Sequence, residues 1–342
     1  MTALELVLSL VAILFAASLF TNAVEIVGSR LNMGQGAVGS VLAAVGTALP
    51  ETMIPIVALL GAFVTGENAA TSGEIGIGAI LGAPFLLATL AMFVVGASVI
   101  AFRGRRGNGM GLEIDRVTTR RDLGFFLVCF ALAAGAGVVP LPLYAKVVLA
   151  VLLVGAYAFY VQRVLRSGGA MLEEVPERLT LWRLWRRGSR PPTWAAAVQL
   201  FGSLVVMALG AHFFVEGMER ASHALGIPAG LIALVLAPLA TELPEKFNSI
   251  LWVREDKDTL ALGNITGAMV FQSTVPVSIG LVLTEWDLGL LGTISVVLAL
   301  FSGLMLYVLL STKRPLRAWP LLGGGAMYAI FVAAAVVSVA LL

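Results

Sequence analysis

Two short runs of the chain place a threonine, a proline and a glutamate close together in the middle of long apolar stretches. They read GTALPE at residues 46–51 and ATELPE at residues 240–245. A carboxylate inside a membrane span is costly and is typical of an ion pathway or a proton relay. A proline has no amide hydrogen, so it also leaves a helix carbonyl without its usual donor. Carboxylate and carbonyl oxygens are the ligands that a hard cation such as Ca²⁺ takes, so the two runs predict a cation site.

The composition is that of a membrane protein with many spans. Of the 342 residues, 59% are apolar and 12% are charged, whereas soluble domains carry about 25% charged residues. Apolar runs of about 20 residues, long enough to cross a bilayer, recur along the chain. They predict an all-α polytopic fold with ten transmembrane helices, near residues 5–28, 35–63, 74–101, 123–139, 142–165, 194–216, 228–253, 260–283, 288–311 and 319–341.

The positions of the charges predict how these helices are oriented. All Lys and Arg residues except Lys146, Arg220 and Lys246 fall in the loops that follow odd-numbered helices. Because basic loops stay in the cytoplasm, we expect an integral protein of the cytoplasmic (inner) membrane with both termini extracytoplasmic. The longest basic loop, residues 167–193, is a predicted cytoplasmic linker between two halves at residues 1–166 and 194–342.

The two halves are related to each other in sequence. A shift of 194 residues lays Glu51 on Glu245 and Thr47 on Thr241, and a shift of 185 lays residues 78–83 on residues 263–268. Each half has five predicted helices, an odd number, so the halves insert with opposite topology. Two inverted five-helix repeats with discontinuous helices at the midplane are typical of secondary transporters. We therefore expect broken helices 2 and 7 at the centre of the molecule.

The two Thr-x-Leu-Pro-Glu segments, each followed by a Gly-x-Ile-x-Gly segment, resemble the α-repeats of the cation/calcium exchanger superfamily, the family of sodium/calcium exchangers. The resemblance implies that Glu51 and Glu245 bind Ca²⁺ at the membrane midplane. It also implies that Thr47 and Thr241, together with freed backbone carbonyls, help to bind Na⁺. The activity that it implies is the exchange of Na⁺ or H⁺ against Ca²⁺.

The chain departs from the family pattern at positions where the family carries serine, carboxamide or carboxylate groups. These positions hold Ala48, Ala83 and Leu87 in the first half and Glu242, Ala268 and Gln272 in the second. The first half therefore keeps few polar ligands beyond its threonine and glutamate, and the second half gains a carboxylate.

The added carboxylate, Glu242, lies four residues before Lys246, a spacing that can form an ion pair on a helix. If the pair forms, the pocket keeps two effective charges; if the lysine points away, three carboxylates face the pocket. Asn248 and Gln272 are predicted neutral ligands, with hydrogen bonds between helices as the alternative. The predicted metal ligands are therefore Glu51, Glu245, Thr47, Thr241, Glu242, Gln272 and Asn248.

These features predict a secondary active cation antiporter, not an enzyme, that exchanges Ca²⁺ for Na⁺ or H⁺ by alternating access. The alternatives are an antiporter of the same fold for Mg²⁺, Mn²⁺ or Na⁺/H⁺, and a passive cation channel. The two histidines form no His-Glu-x-x-His motif, and the chain has no phosphate-binding loop of an ATP-driven pump. We expect no cofactor, because the cations are substrates, and we expect the lipid bilayer and inorganic cations as partners, with no nucleic acid.

Overall fold

The computed structural model describes residues 2–30, 43–65, 69–166, 179–185, 192–312 and 314–341, which are almost entirely helical. Eight of these helical segments are long and apolar enough to cross a membrane. Two shorter apolar segments, Ala48–Gly61 and Ala229–Glu242, lie in the helices that carry the two runs. The prediction of an all-helical membrane protein is confirmed, and the count of ten transmembrane helices stays a prediction.

The helices overlap the predicted spans in the described ranges, but the helix at Arg116–Val138 begins seven residues before its predicted span and the helix at Thr193–Leu225 ends nine residues after its predicted span. The first half contains α1 (Thr2–Arg30), α2 (Ala43–Thr65), α3 (Ala69–Leu86), α4 (Met92–Phe102), α5 (Arg116–Val138) and α6 (Leu143–Arg166). A short helix, α7 (Thr180–Trp185), precedes the second half. The second half contains α8 (Thr193–Leu225), α9 (Ala229–Arg254), α10 (Asp258–Gln272), α11 (Val275–Leu283), α12 (Gly289–Ser311) and α13 (Ala318–Ala340).

The apolar side chains form two main packed clusters, and α3 and α9 contribute to both. One cluster packs α1 and α8 against α2, α3 and α9, with Ile13, Ile54 and Phe214 fully buried. The other cluster joins α3 and α4 to α5 and to the helices from α9 to α13, with Phe85 and Phe126 at its centre. The helices that carry the two runs therefore lie inside the bundle, where a costly carboxylate can be kept away from lipid.

Helices α3 and α9 cross at very short range because glycines remove the side chains between them. A Cβ atom added to Gly78 would collide with the carbonyl oxygen of Gly230, and one added to Gly82 would collide with that of Leu234. The carbonyl of Leu234 lacks its helical donor, since the residue four positions later is Pro238. The close approach of the two helices at these glycines follows the small-residue rule for membrane helices.

The predicted breaks in helices 2 and 7 are wrong. Helix α2 continues through Pro50, and helix α9 continues through Pro244. A proline removes one amide donor, and a membrane helix can continue past it when neighbouring helices support the bend. The irregularities lie one span further on in each half instead. A π-helical turn, Leu87–Ala91, joins α3 to α4, and the chain leaves helical geometry at Thr274 between α10 and α11.

One end of the bundle, formed by residues 103–115, 255–257, 312 and 314–317, is called the basic end. Two short strands, β1 (Gly111–Leu112) and β2 (Leu316–Arg317), pair antiparallel there. They connect the loop before α5 with the loop before α13.

A buried ion pair also joins the two halves at the basic end. Arg106 donates two hydrogen bonds to the carboxylate of Asp258, at 2.8 and 2.7 Å, and both side chains are fully buried. Arg106 further donates to the carbonyls of Gly111 and Val253, and the amide of Glu113 donates to Asp258. This set of bonds, called the latch below, holds the loop after α4 against the start of α10.

Candidate cation site

The first run lies on α2 with its carboxylate inside the bundle. Glu51 is 6% exposed, and the neighbouring Thr52 is also buried. The hydroxyl of Thr52 donates to the carbonyl of Ala48 at 2.7 Å, so it is directed back along its own helix. The side chain of Thr47 lies outside the described residues, so its role as a ligand stays a prediction.

The second run lies on α9, and the carboxylate that the structure describes there, Glu242, is buried. Thr241 and Glu242 are each 1% exposed, and the threonine hydroxyl donates to the carbonyl of Ala237 at 3.0 Å. The side chains of Glu245 and Lys246 lie outside the described residues. Their predicted roles, including the pairing of Lys246 with Glu242, therefore stay predictions.

The two predicted neutral ligands lie in different surroundings. Gln272, at the end of α10, is 1% exposed, and its Nε2 has no hydrogen-bond partner among the described residues. The Nε2 group is a hydrogen-bond donor and cannot bind a cation, so a ligand role would fall to the Oε1 atom of the same side chain. Asn248 lies on an exposed part of α9. Burial therefore supports a ligand role for Gln272 alone, and both roles stay predictions.

Sequence reasoning missed Ser249, which lies on α9 and is fully buried. Its Oγ has no hydrogen-bond partner in the described part of the chain. Its position in the sequence could have identified it as a candidate ligand, because Ser249 lies four residues after Glu245, one helical turn away on the same face. A serine hydroxyl is a neutral oxygen ligand of the kind that hard cations accept.

The helices that carry these side chains are in mutual contact. Helices α2, α3, α9 and α10 each touch the other three. Glu51, Glu242, Ser249 and Gln272 thus lie buried on three members of one four-helix group. Among the described residues, no three His, Cys, Asp or Glu side chains are grouped closely enough to hold a metal ion.

The two halves also share a pair of threonines that sequence reasoning missed. Thr89 donates to the carbonyl of Phe85 at 2.6 Å, and Thr274 donates to that of Val270 at 2.7 Å. Both threonines are fully buried and lie at the helix irregularity of their half. The shift of 185 residues that aligns the glycine segments also aligns these residues, so the signal was present in the sequence.

A buried carboxylate outside the predicted site, Asp122, was also missed. It accepts hydrogen bonds from Thr266 at 3.0 Å and from Tyr160 at 3.1 Å, and Arg121 lies 3.3 Å away. The predicted fourth span began at residue 123, so Asp122 counted as a loop residue, whereas α5 begins at Arg116. Asp122 connects α5 to α6 and α10 and is only 2% exposed.

A cavity of about 1250 Å³ opens at the end of the bundle opposite to the basic end. Its rim carries Glu74, Lys146, Glu285 and Asp287, and it reaches Gly78 at the crossing of α3 and α9. Lys146 donates to the carbonyl of Glu285 at 2.7 Å, so its charge is held at the loop before α12. Among the described residues, the rim therefore carries three carboxylates and one lysine.

Comparison with known proteins identifies the class that this fold and these runs define. The family model for "Sodium/calcium exchanger protein" matches residues 2–165 and 195–340. The chain therefore belongs to the sodium/calcium exchanger family of membrane cation exchangers. The two matched segments fall on the two predicted halves.

Individual relatives are distant. A putative antiporter, CaxA, of Alkalimonas amylolytica is 30% identical over 27% of this chain and 29% of its own length. An uncharacterized membrane protein of Methanocaldococcus jannaschii is 22% identical over 77% of this chain and 76% of its own length. A vacuolar cation/proton exchanger, 1c, of Oryza sativa subsp. japonica is 28% identical over 32% of this chain and 26% of its own length. The chain thus aligns with less than a third of two of these relatives.

Two solved structures share the fold. The H⁺/Ca²⁺ exchanger CAX superposes with a TM-score of 0.72 at 18% identity, over 97% of this chain and 81% of that one. The sodium–calcium exchanger NCX_Mj superposes with a TM-score of 0.57 at 19% identity, over 97% of both chains. At these identities the likeness establishes the fold alone.

Proposed function

We propose that this protein is a secondary antiporter that moves Ca²⁺ in exchange for H⁺. The observation that carries the proposal is the burial of Glu51 and Glu242 on the two helices that carry the repeated runs. A membrane protein keeps such carboxylates at a cost in stability, so their burial in both halves favours a shared cation site. The family to which the chain belongs supports a cation as the substrate.

The two runs offer backbone oxygens as well as carboxylates. Pro50 and Pro244 have no amide hydrogen, so the carbonyls of Gly46 and Ala240, four residues earlier, receive no helical donor from them. With the carboxylates of Glu51 and Glu242 and the Oε1 atom of Gln272, these carbonyls would supply an all-oxygen set of ligands. Ca²⁺ takes six to eight such ligands at flexible geometry, whereas Mg²⁺ demands a tighter octahedron and keeps its water.

We favour H⁺ over Na⁺ as the coupling ion because the first half offers few neutral ligands. Ala83 and Leu87 are buried apolar residues where the family carries polar ones. A carboxylate away from water must be neutralised either by a proton or by a cation, so the two ions compete for it. The rice relative is named a cation/proton exchanger, which agrees with this choice.

The transport cycle that we propose is alternating access between two inverted five-helix repeats. In this arrangement the ten predicted spans place both termini outside the cytoplasm, as the basic loops indicate. The 1250 Å³ cavity would then be the outward vestibule, with its acidic rim attracting cations. The close α3–α9 crossing would be the contact at which the repeats move against each other.

The test is ⁴⁵Ca²⁺ uptake into proteoliposomes that hold either a pH gradient or a Na⁺ gradient. We expect uptake with the pH gradient and its loss in the Glu51→Gln variant, which keeps the shape of the side chain but removes its charge. Glu216→Gln is the matched control, because Glu216 is a partly exposed carboxylate on α8 that pairs with Arg220. It should transport like the parent protein.

Other results would change the proposal in defined ways. Uptake driven by the Na⁺ gradient alone would keep the antiporter and replace its coupling ion. Normal uptake by Glu51→Gln would contradict the site, and Ca²⁺ flux without either gradient would indicate a channel. If no Ca²⁺ uptake is observed, the same vesicles would be tested with Mg²⁺ and Mn²⁺.

A further inference from the structure

A second cavity, of about 680 Å³, lies between α5, α6 and α12 and is separate from the candidate cation site. It is lined on α5 from Arg116 to Cys129, a stretch of about 20 Å at the rise of an α-helix. Ala156 of α6 and Leu310 of α12 form its other walls. The cavity is therefore long, narrow and parallel to the helices.

The two ends of this cavity differ in chemistry. Arg116, Arg120 and Arg121 line the end that lies at the basic end of the bundle. Beyond them the lining is apolar, with Phe125 and Val128 on the same helix. Val128 is 62% exposed, as expected for a residue at the lipid-facing side of the bundle. A cationic mouth at the membrane surface continues into an apolar slot at membrane depth.

The three arginines are held in place, and little negative charge opposes them. Arg116 donates to the carbonyls of Thr312 and Arg314 at the end of α12. The guanidinium of Arg120 lies 5.2 Å from the ring centre of Tyr307 and makes no ion pair among the described residues. Arg121 lies 3.3 Å from Asp122, whose carboxylate also accepts bonds from two other helices.

One further acidic group lies near the mouth, and it is committed to its own helix. Asp115 accepts hydrogen bonds from the amides of Val117 and Thr118 and from the hydroxyl of Thr118 at 2.6 Å. It caps the start of α5 in this way. In the part of the chain that the structure describes, the mouth therefore holds three guanidinium groups against two carboxylates that already have partners.

We infer that this cavity binds one anionic glycerophospholipid, with its phosphate at Arg116, Arg120 and Arg121 and an acyl chain along α5. Basic pockets between membrane helices bind such head groups, and each arginine near the membrane surface contributes about 1 kcal/mol. An acyl chain matches the length and the apolar walls of the slot. The inference does not depend on which ion the protein transports.

The experiment is a lipid titration of the purified full chain in detergent, followed by native mass spectrometry. Phosphatidylglycerol and phosphatidylcholine with the same acyl chains are compared. We expect tighter binding of phosphatidylglycerol to the parent protein and a roughly fivefold weaker binding to Arg120→Gln. Arg105→Gln is the matched control, because Arg105 is an exposed arginine of the loop before α5 and does not line the cavity.

A second variant tests the apolar slot without a change of charge. Ala156→Trp fills the cavity from α6 and should weaken the binding of both lipids. The only cysteine of the chain, Cys129, lines the inner part of the slot and reports occupancy, because bound lipid should slow its modification by N-ethylmaleimide. This reporter uses the parent protein and remains informative if a variant fails to fold.

Three results would overturn the inference. Equal affinity of the parent protein for the two lipids would remove the role of the arginines. Unchanged binding of phosphatidylglycerol to Arg120→Gln would place the lipid elsewhere. Full displacement of phosphatidylglycerol by glycerol 3-phosphate at equal concentration would identify a site for a soluble phosphate, without a role for the acyl chain.

Discussion

Glu242 is the residue at which the two repeated runs differ most in charge, because the matching position in the first run is Ala48. The buried side chain of Glu242 adds a carboxylate to the second half alone. Its effect on transport depends on whether Lys246, four residues later, neutralises it. The net charge of the site therefore depends on whether Glu242 and Lys246 form a pair.

The Lys246→Met variant addresses this pair directly. If Lys246 neutralises Glu242, its removal leaves an additional carboxylate that must take up a proton or a cation, so the pH dependence of Ca²⁺ uptake should change. The measurement is the initial uptake rate in proteoliposomes over a range of pH. Arg220→Met, at an exposed position of α8, is the control, and a pH profile of Lys246→Met identical to that of the parent would contradict the pairing.

Asp115 at the start of α5 gives a prediction about stability and pH. The hydrogen bond from the Thr118 hydroxyl lowers the pKa of Asp115 below its ordinary value. The ionised cap therefore stabilises the protein above the unfolded pKa of about 3.9 and loses this effect as the pH falls through the folded value. Asp115→Ala should cost about 1 kcal/mol at pH 7, and the difference from the parent should shrink on acidification. Thermal unfolding at several pH values measures it, and a difference that does not depend on pH would contradict it.

At the scale of elements, the crossing of α3 and α9 sets how closely the two halves approach. Gly82→Ala should lower the stability by about 1–3 kcal/mol, because the added methyl collides with the carbonyl of Leu234. Gly73→Ala lies on the same helix with open space around its Cβ and should be neutral or slightly stabilising. The midpoint of thermal unfolding in detergent compares them. Equal midpoints for the two variants would mean that the crossing can widen at no cost.

The sequence predicts the positions of the helices and the buried glutamate of the first run, because apolar length and a carboxylate within it leave clear local signals. The helix irregularities were placed in the wrong elements, since a proline signals a missing amide and does not determine whether neighbouring helices support a continuous helix. Asp122 could not be recognised, because its partners come from α6 and α10, far away in the sequence.

At the scale of the whole molecule, the latch at the basic end connects the loop of one half with a helix of the other. Sequence reasoning counts Arg106 only among the basic loop residues, yet its guanidinium is fully buried against Asp258. A solvated loop charge and a buried one cannot be told apart by position in the chain, since the partner lies 152 residues away. The latch is therefore a feature of the tertiary structure alone.

Removal of one partner of the latch should strongly lower the stability of the protein. Arg106→Met leaves Asp258 buried without its cation and should cost about 3–5 kcal/mol, and Arg106→Met with Asp258→Leu should recover part of this loss. Arg220→Met is the comparison, because the exposed pair of Arg220 with Glu5 should contribute less than about 1 kcal/mol. Thermal unfolding of the three variants measures the difference. A double variant no more stable than Arg106→Met would contradict the expected recovery.

The π-helical turn at Leu87–Ala91 also sets the directions in which the side chains of α4 point around the helix axis. It contains one residue more than an α-helical turn, and each residue rotates the following side chains by about 100° around the axis. This phase directs the buried Val95 and Val99 of α4 into the core and brings the carbonyl of Thr89 against Gly324 of α13. Deletion of a single residue within the turn would leave a longer, regular helix. The face of the span that packs against α13 would then be rotated away from it. The extra residue thus sets which side chains of this span face the core and which face α13.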